Sequence, residues 1–181
     1  MKVEPTTLSE VLVVELDRYG DERGFFMETW NARAFAALGI DARFVQDNYS
    51  RSQKHVLRGL HYQLRQAQGK LVRVAAGEIW DVAVDLRRGS PGFGRWFGAR
   101  LAADAPRALW IPPGFAHGFL VLSESADVMY KATDYYAPEH ERALLWNDPA
   151  IGIAWPLAGA TPVLSERDRR GVSLAQAETY G

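Results

Sequence analysis

The feature that most constrains this chain is the rhythm of its apolar residues, which fall in about ten short runs broken by Gly, Pro, Asp and Asn. Runs of strand length with alternating polarity read as half-buried strands, and a succession of them predicts an all-β sandwich or barrel. The expected strands are EVLVVEL (10–16), GFFMETW (24–30), RFVQDNYS (43–50), VLRGLHYQ (56–63), KLVRVAA (70–76), EIWDVAVDL (78–86), RWFGARLA (95–102), RALWIP (107–112), AHGFLVLS (116–123) and DVMYKATDYY (127–136). AAGE, between two of them, reads as a hairpin turn with Gly77 supplying a positive φ. One helix is expected at NARAFAALG, with Asn31 as N-cap and Gly39 at its stop. A second helical pattern lies at SLAQAET (173–179). Ten strands fit a double-sheet jelly roll with a few short helices, although the strand pattern alone does not separate it from an immunoglobulin-like sandwich.

Composition removes whole classes of function. A chain of 181 residues, 48% of them hydrophobic, is expected to be one domain (1–181) with a substantial core. A formal net charge of −1 offers no footprint for nucleic acid or a membrane surface. There is no cysteine, hence neither a disulfide nor a thiolate metal site. MKVEPTTLSE lacks the apolar stretch of a signal peptide and no run is long enough to span a bilayer, so a cytoplasmic protein is expected.

Several polar residues interrupt the strands where both neighbours are apolar: His61, Lys70, His117, Tyr130 and the run Gln46, Asp47 and Asn48. Each alone has an ordinary structural explanation, such as a satisfied core histidine or a lysine reaching solvent. Their number in one small β domain points to a lined pocket. Lys70 is one of only four lysines among 21 basic residues. Gly59, two residues before His61, marks a point where backbone or ligand comes close.

A metal site is the first candidate chemistry. IPPGFAHGF (111–119) contains P-x-G-x-x-H, similar to the second metal-binding motif of the cupins, and offers His117 as a ligand. The first cupin motif needs two histidines two residues apart and a nearby glutamate; the chain has HYQ at 61–63, with glutamine in place of the second histidine. Two isolated histidines do not make a three-ligand centre, so no metal is expected.

Seven segments then occur in register: GDERGFFMETW, FVQDNYSRS, VLRGLHYQ, QGKLVRVAAGEIWDVAVDLRRGSPGFG, WIPPGFAHGFLVL, YKATDYYAPEHERALLWNDPAIGIAWP and LSERDR. Together they resemble the dTDP-4-dehydrorhamnose 3,5-epimerase family, over practically the whole chain. The resemblance implies a cupin-type double-stranded β-helix that works without metal or redox cofactor, as a homodimer with strands exchanged between subunits. It implies a dTDP-sugar substrate whose C3 and C5 hydrogens flank a C4 ketone. On this resemblance His61 is the base, Asp168 orients its ring, Tyr130 is the acid on the opposite face and Lys70 holds the enolate oxygen. Substrate contacts are implied for Arg23, Glu28, Gln46, Asp47, Asn48, Arg58, His117, Tyr136, Glu141 and Arg167, the last standing where the family often has lysine. Rival expectations are a relative that epimerises only C3 or only C5, a non-catalytic cupin that binds a nucleotide sugar, and a metal-dependent cupin enzyme.

Overall fold

The computed structural model describes all residues, 1–181. Thirteen strands follow one another: β1 (Lys2–Pro5), β2 (Leu12–Glu15), β3 (Arg18–Asp21), β4 (Gly24–Met27), β5 (Gln46–Gln53), β6 (Leu57–Gln63), β7 (Lys70–Ala76), β8 (Glu78–Asp85), β9 (Trp96–Ala102), β10 (Arg107–Ile111), β11 (Phe115–Val121), β12 (Ser125–Ala132) and β13 (Glu141–Ala143). Two short helices, α1 (Ala32–Ala37) and α2 (Glu166–Arg169), are added to them. A six-stranded sheet in the order β1-β2-β10-β7-β12-β5 faces a five-stranded sheet in the order β13-β6-β11-β8-β9. The hairpin β3-β4 forms a small sheet of its own. The jelly roll expected from the strand pattern is the one observed. None of the helices is long and apolar enough to cross a membrane.

Strand alternation divides the side chains among three layers. Val72 and Val74 of β7, Ile79 and Ala83 of β8, Phe115 and Phe119 of β11 and Val128 of β12 meet between the sheets. Leu71, next to Val72 on the other face of β7, points outward, under Phe35 of α1, together with Val14 and Trp110. Val82, Val84, Leu60 and Tyr62 form the outer layer of the second sheet, covered by Leu144, Ile151 and Ala177 of the C-terminal segment. Burying these three layers supplies the main driving force for folding, at about 25 cal/mol per Å² of apolar surface.

Local signals account for most element ends. Asn31 caps α1 by accepting from Arg33 N and Ala34 N, and Gly39 follows at φ 86°. Gly77 turns β7 into β8 at φ 73°, with no room for a Cβ against Ser125 O. Two expectations need correction. SLAQAET forms only a turn, lying between Val172 and Tyr180, which are bridged to Leu144 and Arg87. The helix of this region is instead α2, where Ser165 and Asp168 form a capping box. The strand expected at 24–30 ends at Met27, where the chain turns toward the α1 cap.

Candidate active site

The site arises from the same alternation. On β6 a register shift between the β11 partners His117 and Phe119 sets His61 opposite His117 and Arg58 opposite Phe119. One extra residue is therefore accommodated between Arg58 and His61, and both side chains take the face that looks between the sheets. Gly59 makes this possible. It adopts φ 117°, and a Cβ there would stand 2.5 Å from Gly118 Cα, so backbone rather than ligand is what comes close. Beyond the bulge His61 and Gln63 share one face while Leu60 and Tyr62 join the outer core.

Asp168 reaches His61 because the chain runs back along β6. Leu57 N donates to Val163 O and Val163 N donates to His55 O, which leads directly into α2. His61 Nε2 then donates to Asp168 Oδ1 at 2.6 Å. The carboxylate, 2% exposed, also accepts from Gly59 N at 3.2 Å and from Ser165 Oγ at 2.6 Å. Burial alone would raise the pKa of Asp168, yet these donors outweigh it and hold the group at about 2. For His61 the balance runs the other way: burial outweighs the bond to Asp168 and brings the imidazole below its ordinary pKa. The result is a neutral ring with Nε2–H anchored and Nδ1 carrying its lone pair, the form a base requires.

A cavity of about 330 Å³ opens in front of this ring, lined by Gln46, Asn48, His61, Tyr62, Gln63, Gln68, Lys70, Tyr130, Tyr136, Glu141 and Arg167. Lys70 enters it because it shares the inward face of β7 with Val72 and Val74. Its Nζ stands 5.8 Å from the centre of the Tyr130 ring. Burial lowers the Lys70 pKa to about 8, with Asp81 and Glu141 acting to keep the proton on. Burial raises the Tyr130 phenol above its ordinary range, so it holds its proton at neutral pH. At the mouth Glu141 Oε2 accepts from Tyr136 OH at 2.9 Å and from Arg167 at 2.5 Å.

The sequence-derived contacts do not all converge here. Gln46 and Asn48 line the cavity, but Asp47 lies on the opposite face of β5 and binds Lys131 at 2.9 Å, as strand alternation demands. His117 is buried and donates to Asp81 Oδ1 at 2.6 Å; it packs beside Tyr130 rather than lining the cavity. Arg58 is exposed and braced on Ser52 Oγ at 2.9 Å, outside the lining. Arg23 sits in the turn of the β3-β4 hairpin, bound to Asp21, and Glu28 comes directly after the hairpin, bound to Asn31. Neither lines the cavity of its own chain. Three lining residues, Tyr62, Gln63 and Gln68, are not among the contacts expected from the sequence. Gln63 stands two residues from His61 on one strand face, and that spacing is itself the signal of a shared site, masked by the absence of a histidine there. No group of three or more His, Cys, Asp or Glu stands together in a way that could hold a metal ion.

Comparison with known proteins shows the family. The profile of the family described as dTDP-4-dehydrorhamnose 3,5-epimerase matches residues 5–176. A Pseudomonas aeruginosa dTDP-4-dehydrorhamnose 3,5-epimerase is 58% identical over 181 residues, covering 99% of each chain. The crystal structure of a Legionella pneumophila dTDP-6-deoxy-D-glucose-3,5-epimerase, in complex with dTDP-4-keto-L-rhamnose, superposes with a TM-score of 0.95 at 53% identity, over 98% of this chain and 94% of that one. A Streptomyces bikiniensis 3′-monoepimerase in complex with dTDP-quinovose has a TM-score of 0.88 and 34% identity, over 97% and 88%. The chain belongs to the dTDP-4-dehydrorhamnose 3,5-epimerase family.

Proposed function

We propose that the chain epimerises C3 and C5 of dTDP-4-dehydro-6-deoxy-D-glucose, giving dTDP-4-dehydro-L-rhamnose for dTDP-L-rhamnose synthesis, with His61 as base and Tyr130 as acid. The observation that carries this reading is the His61–Asp168 pair opening on one cavity with Lys70 and Tyr130. Binding alone requires no such set. His61 Nδ1 takes a proton from a carbon next to the C4 ketone, and Asp168 stabilises the imidazolium that forms. The Lys70 ammonium faces the oxygen on which enolate charge develops. Tyr130 returns a proton from the opposite face, which inverts the centre. The same two transfers repeat at the second carbon, and since neither changes an oxidation level, no redox cofactor enters.

Arg167 and Glu141 at the mouth suit the diphosphate and the sugar nucleotide, and Tyr136 suits the thymine ring. The double outcome is favoured over a single inversion by the 58% identity to a 3,5-epimerase against 34% to a 3′-monoepimerase. We further assign a homodimer in which the β3-β4 hairpin of one subunit closes the cavity of its partner and delivers Arg23 and Glu28. Tyr19, Phe25 and Phe26 on that hairpin are 64%, 54% and 69% exposed, a patch that a partner surface would cover. A chain without cysteine that handles a nucleotide sugar is assigned to the cytoplasm. The test is incubation with substrate in D₂O followed by NMR of the sugar: label is expected at both C3 and C5, and must survive exhaustive chelation. Label at one carbon only would make it a mono-epimerase, and loss of exchange on chelation that added Zn²⁺, Mn²⁺ or Fe²⁺ restores would defeat the acid–base reading.

A further inference from the structure

The segment 134–137, which carries Tyr136 to the mouth of the cavity, lies outside any strand or helix. Glutamine side chains supply the hydrogen bonds that a ladder would otherwise provide. Gln68 Nε2 donates to Asp134 O at 2.8 Å. Gln63 Nε2 donates to Tyr135 O at 3.2 Å and to Gln66 O at 2.8 Å, while Gln63 Oε1 accepts from Ala137 N at 2.9 Å. Gln46 Oε1 accepts from Tyr136 N at 2.9 Å. The backbone of four consecutive residues is thus held by amides projecting from β5, from β6 and from the loop after β6.

Among these, Gln63 is the one buried group, 3% exposed, with two bonds to this segment and a third to Gln66 O of the loop after β6. Its neighbour on the same strand face is His61. A buried amide whose N–H donors are both taken by neighbouring backbone, and whose oxygen accepts from Ala137 N, spends its hydrogen bonds on structure. It fixes where the loop stands, and therefore where the Tyr136 ring stands. We infer that Gln63, supported by Gln68, is a positioning residue for nucleotide recognition: it sets the 134–137 segment so that Tyr136 presents its ring to the nucleobase. The inference rests on the reading that Tyr136 contacts the nucleotide.

The experiment uses the full-length enzyme, with dTDP as the calorimetric probe and steady-state epimerisation as the second readout. Gln63→Met keeps the volume and removes all three bonds. Losing them is expected to weaken dTDP binding, and raise KM, by about tenfold. By contrast kcat should fall less than about threefold, since His61, Asp168, Lys70 and Tyr130 keep their places. Gln63→Glu keeps the acceptor for Ala137 N but sets a second oxygen against the Tyr135 and Gln66 carbonyls, and should weaken binding at least as much as Gln63→Met. The decisive measurement is a double-mutant cycle with Tyr136→Ala: if Gln63 acts through that ring, Gln63→Met adds less than about twofold in the Tyr136→Ala background. Should Gln63→Met fail to fold, Gln68→Met, which removes one peripheral bond, must still weaken dTDP binding about two- to fivefold, by about one hydrogen bond.

Wild-type affinity in Gln63→Met, or a loss undiminished in the Tyr136→Ala background, overturns the positioning role. An unaltered dTDP affinity in Tyr136→Ala itself overturns the nucleotide reading of that residue, and the inference with it.

Discussion

Asp168→Asn is the perturbation the site constrains most tightly. The carboxylate faces donors on both oxygens: His61 Nε2 and Gly59 N at Oδ1, and Ser165 N and Oγ at Oδ2. An asparagine has one oxygen and one NH₂ to place among them. With the NH₂ toward Ser165, its hydrogens meet the Ser165 backbone N–H. With the NH₂ toward His61, it meets Gly59 N–H, and the imidazole must accept at Nε2. The ring proton then moves to Nδ1, where the lone pair of the base belongs. Either arrangement costs free energy, and the second abolishes the base. The pKa of Asp168 falls from its ordinary 3.8 to about 2, which corresponds to about 2 kcal/mol in favour of the charged carboxylate. Because the folded value lies below the unfolded one, this stabilisation is fully present above about pH 4 and is lost as pH falls through about 2. Asp168→Asn should therefore slow deuterium exchange at C3 and C5 on the order of 10²–10⁴-fold at neutral pH, with dTDP affinity retained. Urea denaturation should show a deficit against wild type at pH 7 that closes toward pH 2. More than about a tenth of wild-type exchange in this variant would refute the role of the pair, because general-base catalysis contributes at least about 10²-fold.

The same geometry sets three further outcomes. With Lys70 brought down to about 8, kcat/KM should fall on the alkaline side with a midpoint near pH 8, and rise on the acid side as His61 deprotonates below its ordinary value; Lys70→Met should lose the alkaline limb along with about 10²–10³-fold in rate. Tyr130→Phe should keep proton abstraction at His61 and so continue to wash in deuterium with retention, while net epimerisation falls much further; equal losses in NMR of the recovered sugar would show that the phenol does something other than reprotonate. Phe26→Asp, on a residue 69% exposed, should shift sedimentation from dimer to monomer and weaken dTDP binding, whereas an unchanged dimer would remove the hairpin from the interface.

The sandwich was legible because the residues that build it obey a two-residue period, as Leu71, Val72 and Val74 illustrate. The cavity was legible where polar residues broke that period, at His61, Lys70 and Tyr130, which all line it. What escaped the sequence depends on the third dimension. Gln46, Asp47 and Asn48 look equivalent as a string, yet the pleat sends the middle one to Lys131. His117 looks like a free ligand until Asp81, 36 positions earlier, is seen across the adjacent strand. β1 is short, polar and closed by Pro5, and is defined by its pairing with β2 rather than by any pattern of its own. Arg23 and Glu28 mark the limit of reading one chain, since the hairpin region that carries them does not reach this cavity.

The irregularity at Gly59 has a consequence for how this strand tolerates change in length. A strand keeps time with two beats, and the extra residue between Arg58 and His61 resets the phase once, immediately before His61. Deleting a single residue there would remove the bulge and set one residue against one, leaving His61 opposite His117 and still facing between the sheets. Adding one would instead turn His61 and Gln63 toward the C-terminal layer and bring Leu60 and Tyr62 into the cavity. A conservative point substitution damages one group, whereas this insertion would exchange the two walls of the strand, so VLRGLHYQ tolerates shortening at the bulge but not lengthening.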